Sequence, residues 1–588
     1  MTRQSRPLLT LLLIAAITGT IWMAWRSMTP APPAADRLGA PPAPVRGGTL
    51  TSSIRSEVRS YNRISARDYP TELLATLTLG RLVRVNRATH DVEPWLAESW
   101  TTSADALTYT FTLRDGVTWN DGTPFTSADV AFSFQAVYDP SAKSVLRNSL
   151  LVGGQPLRID TPDPHTVVVT FAEPFGPGVR LLDNLTIMPR HKLEAALAGG
   201  TFADAWSAAT PPADLAAIGP FQLARYDPGQ RIVLDRNPRY WRTDERGEAL
   251  PYLDRLVLEI VPDQDAELVR LQSGQIDLTQ QQLRAADVAT LRPLVTQGRL
   301  QLLEIGVAND VDHFFFNLRP AQWARDPRRA WLPRREFRQA ISHAVDREAY
   351  ADTVFLGEAV PIHGPITPGN RLWFWPGIPR YEFSRDKARA LLAGLGLQNR
   401  DADEWLEDER GTEARFSLIT VRGNTQLERG AAVVRDELRQ IGVAMDIVPL
   451  EANALIKRML DGQFEAIFFV FGATDLDPAL SPDLWLSSGS AHVWNIGQRT
   501  PATDWEARID ALMAEQARAT DLAERQRLFR EVQRIFSEEL PMIHFAAARL
   551  YMGVSARVFN LSPGFARPHL LWSADTISVT PAGPATSQ

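Results

Sequence analysis

Two aspartates in one short loop, Asp475 and Asp477, are the residues of this chain whose types and spacing could do chemistry. Two carboxylates held close together can act as a general acid and a general base. The same loop contains Thr474 and Pro478, and Asp and Pro are also ordinary turn residues. The loop alone therefore leaves two interpretations open, a functional site and a structural turn.

A nearly continuous apolar run, residues 464–471, comes directly before this loop. Its length suits a strand and is too short for a membrane span. A strand buried on both faces that ends in an acidic loop is how an open α/β sheet presents a site, because ligands bind beyond the carboxyl ends of the strands. The loop is therefore expected at the edge of the sheet where ligands commonly bind.

The elements around this strand predict a parallel sheet. Strands are expected at 415–421 and 443–450, and apolar residues recur at helical spacing between 427 and 441. A short helix is expected at 454–460, before the strand at 464–471. Strand, helix, strand, helix, strand is typical of an α/β unit with right-handed crossovers.

The first half of the chain has a different pattern. Residues 107–113 alternate between apolar side chains and threonine, which predicts a half-buried antiparallel strand. Residues 120–122 are Asn-Asp-Gly, a hairpin-type turn signal. Thr126 with Asp129 predicts a helix start, and residues 166–171 predict another strand. This half is expected to be mixed, with much antiparallel sheet.

Composition excludes several classes of function. The chain has 588 residues, 45% of them hydrophobic, a net charge of -7 and no cysteine. The length predicts two or more large units, and the charge argues against a nucleic-acid surface. Without cysteine there are no disulfides, thiolate metal sites or lipid-attached cysteine. The nine histidines show no metal-ligand spacing, and neither a nucleophile elbow nor a phosphate loop occurs. We expect no cofactor and no dedicated metal site.

The N-terminus predicts export. Arg3 and Arg6 precede a charge-free apolar run, residues 8–25. A basic flank before such a run is typical of a secretory signal, with the body placed outside the cytoplasm. The run also approaches the length of a membrane span, so a cleaved signal and an uncleaved anchor both remain open. A tether rich in Pro and Ala follows.

Eight motifs in order carry a resemblance to a known family. They are VEPWLAESW (92–100), YTFTLRDGVTWNDGTPFTSADVAFSF (109–134), IGPFQL (218–223), IVLDRNPRYW (232–241), PYLDRLVLEIVPDQDAELVRLQSGQIDL (251–278), FFFNLRP (314–320), FRQAISHAVDREAY (337–350) and LPMIHFAAARLY (540–551). Together they resemble the extracytoplasmic solute-binding proteins of family 5, the oligopeptide- and dipeptide-binding class of ABC importers. The resemblance covers residues 47–576.

The resemblance implies an α/β, two-lobed periplasmic-binding-protein fold with mixed sheets and an extra subdomain. It also implies that the chain crosses between the lobes twice, near Asp312 and near Phe545, which makes a hinge that ligand closes. The predicted divisions are 1–28 for the signal or anchor, 29–46 for the tether, 47–312 plus 545–580 for the first lobe with an inserted subdomain at about 86–214, and 313–544 for the second lobe.

In the family, an aspartate in the loop after the central strand binds the amino end of the ligand. An enclosed ammonium needs such a charge partner. Gapless alignment places Thr474 at that position, and a shift of one residue places Asp475 there. We predict Asp475 as the anchor, with Asp477 beside it. If Thr474 is the true equivalent, the cargo could be a capped peptide, a sugar or another solute.

Five more residues are predicted to line the cleft, three by their positions in the family and two because they follow the acidic loop. Glu57, Tyr61 and Asn62 belong to a first-lobe loop, and Trp494 and Asn495 follow the acidic loop. Each has a structural alternative, since loops lie on the surface by default and buried tryptophans usually serve packing.

The predicted function is that of the extracytoplasmic solute-binding component of an ABC importer. It would capture oligo- or dipeptides in the cleft between the lobes and deliver them to the transmembrane permease subunits. The resemblance implies no catalysis, and we expect a monomer in the periplasm, with residues 8–25 as a possible contact with the membrane. Alternatives are a receptor for an oligosaccharide or a chelated metal, a membrane-anchored ligand sensor, and a secreted hydrolase.

Overall fold

The computed structural model describes residues 44–401, 403–471 and 476–580. Its strands are β1 (Thr49–Ile54), β2 (Val83–Val85), β3 (Val92–Pro94), β4 (Ala97–Thr102), β5 (Thr108–Leu113), β6 (Leu151–Val152), β7 (Gln155–Pro156), β8 (Arg158–Asp163), β9 (Thr166–Thr170), β10 (Phe221–Asp227), β11 (Arg231–Arg236), β12 (Arg255–Ile260), β13 (Leu300–Val307), β14 (Val311–Phe316), β15 (Ala359–Pro361), β16 (Arg415–Val421), β17 (Ala444–Leu450), β18 (Ala466–Phe471), β19 (Met542–Ile543), β20 (Ala546–Ser555), β21 (Val558–Phe559) and β22 (Ser578–Val579).

The helices are α1 (Tyr69–Thr78), α2 (Ser127–Tyr138), α3 (Arg190–Ala198), α4 (Gln264–Gln272), α5 (Ala285–Thr296), α6 (Pro320–Trp323), α7 (Arg335–Ala344), α8 (Arg347–Phe355), α9 (Arg385–Gly394), α10 (Thr425–Arg439), α11 (Ala452–Asp461), α12 (Asp504–Arg518) and α13 (Leu522–Glu539). The fold is mixed α/β, as predicted.

Two sets of hydrophobic cores divide the chain into lobes. One core is built from residues between 50 and 308 and between 550 and 579. Two further cores, on opposite faces of one sheet, are built from residues between 314 and 546. We call the first part the first lobe and the second part the second lobe. A small apolar cluster of Val307, Val311, Ile362 and Ala547 lies where the chain passes between them.

The first lobe contains two four-stranded sheets. One has the order β1-β12-β11-β10, with β1 parallel to β12. The other is antiparallel, with the order β4-β5-β9-β8. In β5 the side chains of Tyr109, Phe111 and Leu113 are buried and the threonines are more exposed, which confirms the predicted alternation. Helix α2 begins at a capping box formed by Thr126 and Asp129, also as predicted.

The second lobe is organised around β18. Its sheet has the order β17-β16-β18-β14-β19, with β16 parallel to both β17 and β18, and β14 antiparallel to β18. The predicted parallel unit is therefore confirmed. Strand β18 is buried on both faces, because Phe468 belongs to one core and Ile467 to the other.

A further sheet, β13-β20-β15, joins the two parts. Strand β15 lies within the second-lobe stretch of the sequence, yet it pairs with β20, whose other neighbour is the first-lobe strand β13. The short strand β15, residues 359–361, carries no alternation long enough to predict this pairing.

Across the described ranges, no helix combines the length and the apolar character that a bilayer crossing requires. The predicted signal or anchor segment, residues 8–25, lies outside the described residues, as does the tether up to residue 43.

Candidate functional site

A cleft of about 780 Å³ separates the two lobes, and side chains from both line it. The second lobe contributes residues at the end of α8, the first turn of α10 and Leu476. The first lobe contributes residues around β2, the start of α5 and the segment 565–569. Small-molecule sites in proteins typically measure about 300–1,000 Å³, so this cleft has the size of a site for a small solute.

Charged side chains make up about a third of the lining. Arginine outnumbers acidic residues, with Arg55, Arg87, Arg180, Arg284, Arg429, Arg549 and Arg567 against Glu72, Asp183, Asp310 and Glu358. Several of these arginines are held by carboxylates: Arg55 binds Glu267 at 2.7 Å and Arg549 binds Glu304 at 2.7 Å. The arrangement offers guanidinium groups of fixed orientation, which suit carboxylate or phosphate ligands.

Asp183 organises the arginines of the first-lobe wall. Its carboxylate binds Arg87 at 2.9 Å, lies 3.9 Å from Arg81 and accepts a hydrogen bond from the Val85 backbone N–H at 3.0 Å. Burial alone would raise the pKa of Asp183, but the positive charges of Arg87 and Arg81 outweigh it and lower the pKa. Asp183 is therefore ionised and orients the arginines beside the cleft.

Two histidines near this wall stay neutral. Burial, reinforced by the charge of Arg180, lowers the pKa of His90 to about 4. Burial likewise lowers the pKa of His569, which lines the cleft, to about 4. Neither imidazole changes charge between pH 5 and 8, so these two groups give the cleft no pH dependence in that range.

The second-lobe wall contains a helix N-terminus. Asn424 caps α10 by accepting a hydrogen bond from the Leu427 backbone N–H at 3.1 Å, and Asn424, Thr425 and Gln426 all line the cleft. The first-turn N–H groups of a helix attract anions. Arg429, one turn further along, is exposed and donates to the Val354 carbonyl at 3.1 Å.

The predicted acidic loop reaches the cleft at Leu476, which lines it. Thr474 and Asp475 lie outside the described residues, so their predicted role as ligand anchor stays a prediction. Asp477 is described and is buried, with its two carboxylate oxygens bound to Arg525 at 2.6 and 2.9 Å. It also accepts from the Ala479 N–H. Asp477 does not line the cleft, because its carboxylate supports the loop from inside.

The predicted first-lobe residues do not line the cleft. Glu57 accepts hydrogen bonds from the Tyr226 hydroxyl and the Gly229 N–H. Asn62 is buried, donates to the Phe202 carbonyl at 2.9 Å and accepts from the Ile64 N–H at 3.1 Å. Tyr61 borders a separate cavity of about 30 Å³, which has room for about one water molecule.

Trp494 and Asn495 belong to a packed network behind the cleft. Trp494 is buried and donates to Glu506 at 3.4 Å, and Glu506 also binds His492 at 2.9 Å. Asn495 donates to Gln498 at 2.5 Å. These contacts agree with the structural alternative, in which both residues serve packing and do not contact cargo.

Sequence reasoning missed the cleft arginines. They come from seven separated segments between Arg55 and Arg567, so no local spacing groups them. The one available signal was the predicted start of α10, since a helix that follows a buried parallel strand places its N-terminus at the ligand edge of the sheet.

Asp312, at the passage between the lobes, connects to the cleft through Gln426. Its carboxylate is buried on β14 and accepts from the Gln426 side-chain amide at 3.0 and 3.1 Å. Burial raises the pKa of Asp312 to about 6, and the hydrogen bonds from Gln426 oppose that rise. A folded-state pKa above the unfolded value means that stability falls as pH rises from about 4 to about 6.

We therefore predict that Asp312→Asn removes this pH dependence. The variant keeps an oxygen acceptor for Gln426 and no longer buries a charge above pH 6. Above pH 7 it should be more stable than the native chain by on the order of 2 kcal/mol. Urea unfolding at pH 4.5 and pH 7.5 measures this: the variant's advantage should be small at the lower pH. An equal shift at both pH values would contradict the assignment.

Comparison with known proteins identifies a family that matches most of the chain. The model of the bacterial extracellular solute-binding proteins, family 5 Middle, matches residues 91–492, more than half of the chain. The chain is 27% identical to a probable ABC transporter-binding protein of Deinococcus radiodurans, over 87% of this chain and 89% of that one. It is 28% identical to heme-binding protein A of Haemophilus influenzae, over 85% of each chain.

Peptide binders are among the relatives. Di/tripeptide-binding protein 2 of Pseudomonas aeruginosa is 28% identical, over 81% of this chain and 85% of that one. The crystal structure of the ABC transporter substrate-binding protein CtaP from Listeria monocytogenes superposes with a TM-score of 0.73 at 21% identity, covering 91% of this chain and 100% of that one. This likeness shows the two-lobed fold.

Proposed function

Since this chain belongs to the bacterial extracellular solute-binding proteins of family 5, we propose that it captures short peptides outside the cytoplasm for an ABC importer. The observation that carries the proposal is the cleft of about 780 Å³, lined by charged side chains from both lobes. A free peptide is a zwitterion, and it needs cationic groups for its carboxylate and an anionic group for its ammonium.

The carboxylate end fits the second-lobe wall. Arg429 and the first turn of α10 line the same part of the cleft, and both attract anions. The ammonium end fits the loop after β18. Asp475 is the sequence neighbour of Leu476, which lines the cleft, and this neighbourhood supports Asp475 as the anchor.

Cargo that touches both walls favours closure of the lobes. Because each lobe supplies part of the lining, the ligand gains its full set of contacts only when the cleft is shut. We propose that the closed form is what the permease subunits recognise, and that binding proceeds without turnover. The chain would act as a monomer in the periplasm, with its N-terminal apolar segment either cleaved or retained as an anchor.

A second candidate cargo is a non-peptide anion, such as a metal chelate with several carboxylates. The guanidinium groups that line the cleft from both lobes favour it, because such a cargo needs no ammonium partner. The heme-binding relative shows that related proteins are not restricted to peptides.

Mass spectrometry of cargo that co-purifies with the exported protein is the first test. We expect intact short peptides, which stay intact on long incubation. Calorimetry then compares one peptide with its N-acetylated and its C-terminally amidated forms. Acetylation should weaken binding by about tenfold or more, and Asp475→Asn should remove the difference between the free and acetylated forms.

Arg429→Gln tests the carboxylate end in the same way. The variant should bind the free peptide about tenfold more weakly, whereas its affinity for the amidated peptide should be nearly unchanged. Arg422→Gln is the matched control, because Arg422 is exposed, lies outside the cleft lining and pairs with Glu451 at 3.7 Å. If no peptide binds at millimolar concentration while a polycarboxylate chelate or heme does, the peptide proposal is wrong and the second candidate stands.

A further inference from the structure

Three carboxylates converge in the second-lobe loop between α9 and β16, and none of them lines the cleft. One oxygen each of Asp401, Asp403 and Glu407 lies within 4.8 Å of the other two. Asp401 and Asp403 are exposed, whereas Glu407 is 8% exposed. The Oε1 atom of Glu407 is buried and has no hydrogen-bond partner among the described residues.

This arrangement is unfavourable for a protein without a bound cation. Among the described residues, no lysine, arginine or histidine forms an ion pair with any of the three carboxylates. A neighbouring carboxylate of the same loop, Glu404, does have a partner, Arg439 at 2.7 Å. Like charges placed together repel, and a buried polar atom left without a partner costs about 1–3 kcal/mol. A cation between the three oxygens would offset both costs.

The loop backbone holds the carboxylates in place. Asp401 accepts a hydrogen bond from the Asp403 N–H at 3.2 Å, and Asp403 accepts one from the Trp405 N–H at 2.7 Å. Glu407 pairs with Gln398 through two backbone hydrogen bonds of 3.0 and 2.9 Å. This pairing closes the base of the loop and fixes Glu407 opposite its tip.

The sequence of the loop agrees with calcium ligation. Asn399, Asp401 and Asp403 alternate as the first, third and fifth ligands of a calcium loop do, and Glu407 then stands at the ninth position. The loop departs from that pattern at the first position, which is Asn399 rather than aspartate, at the sixth, which is Glu404 rather than glycine, and at the twelfth, which is Arg410 rather than glutamate. A donor set made only of oxygen selects a hard cation.

We propose that Asp401, Asp403 and Glu407 form a divalent-cation site that takes Ca²⁺ in the second lobe. Calcium accepts flexible carboxylate geometry, whereas Mg²⁺ demands a near-octahedral shell. With three carboxylates and no bidentate glutamate at the twelfth position, the affinity belongs to the class of extracellular modules, with Kd of about 10⁻⁴–10⁻³ M. The cation stabilises the loop that leads into β16, and it takes no part in cargo binding.

Terbium luminescence on the full chain tests the site, because Trp405 lies within the loop and can sensitise a bound Tb³⁺. After EDTA treatment and dialysis, Tb³⁺ should give a saturable signal with one site per chain, and Ca²⁺ should displace it more effectively than Mg²⁺. Calorimetry with CaCl₂ alone should give the same stoichiometry. Asp401→Asn with Asp403→Asn should weaken Ca²⁺ binding by about tenfold or more.

Glu404→Gln is the matched control, since it removes a carboxylate of the same loop that is paired with Arg439; it should change the affinity by less than about threefold. Glu407→Gln should weaken binding as the double variant does, and near-UV circular dichroism of each variant establishes that it is folded. Absence of stoichiometric binding to the native chain at 5 mM Ca²⁺ would overturn the proposal (the concentration is about five times the weakest expected Kd). Equal losses in Glu404→Gln and the double variant would also overturn it, because they would indicate diffuse surface binding.

Discussion

Asp477→Ala should destabilise the protein by about 3–5 kcal/mol, because it leaves the guanidinium of Arg525 buried without its carboxylate. Both residues are almost fully buried, and the two hydrogen bonds between them measure 2.6 and 2.9 Å. Arg525 also lies 5.0 Å from the ring centre of Trp373, so its surroundings are apolar. Urea unfolding followed by tryptophan fluorescence measures the loss.

The control for Asp477→Ala is Asp483→Ala in the same region. Asp483 is exposed, and within the described part of the chain its side chain accepts from the Ser490 hydroxyl alone, at 3.1 Å, so the change should stay within about 0.5 kcal/mol. Replacing both members of the buried pair, with Asp477→Leu and Arg525→Met, should recover much of the stability. An Asp477→Ala variant that loses cargo binding at native stability would instead support the predicted contact between Asp477 and ligand.

The contacts of Asp477 show what the sequence could and could not predict. Strand β18 follows from a local apolar run and lies where the pattern placed it. The partner of Asp477 is Arg525, 48 residues later on α13. No spacing rule connects these two residues. The sequence around Asp477 would therefore be the same whether its side chain formed a buried ion pair or an exposed ligand anchor.

The residues that line the cleft also show that local sequence patterns do not predict contacts made by the tertiary fold. Capping boxes such as Thr126 with Asp129, and Thr503 with Glu506, could be read directly, because both partners lie within one turn. The lining arginines converge only through the tertiary fold. The family resemblance placed Tyr61 and Asn62 at the cleft, but in this chain Asn62 is satisfied by backbone groups.

One contact between the two lobes involves a glycine. Gly176 of the first lobe donates its N–H to the Ala517 carbonyl of the second lobe at 2.6 Å. Its neighbour Phe175 packs on the first-lobe core, and Ala519 packs on a second-lobe core. A Cβ at position 176 would lie 2.3 Å from the Ala519 carbonyl oxygen and 2.4 Å from Nε of Arg525. Only glycine permits this approach of the two lobes.

Gly176→Ala should therefore weaken cargo binding by about tenfold or more, because the variant populates the closed form less and apparent affinity falls with that population. The backbone of Gly176 has no positive φ, so alanine adds no strain to its own backbone, but a Cβ that close to Arg525 should also lower the free energy of unfolding. Calorimetry gives the affinity, and small-angle scattering of the cargo-bound protein should show a larger radius of gyration than the native complex.

Gly394→Ala is the control for this prediction, since a Cβ there meets no atom within 4 Å. The exposed ion pair at the same contact, Arg518 with Glu173 at 3.1 Å, should matter little, so Glu173→Ala should change the affinity by less than about threefold. If Gly176→Ala binds cargo as tightly as the native chain and scatters identically, the two lobes do not need this approach to hold cargo. Closure would then depend on the cleft-lining side chains alone.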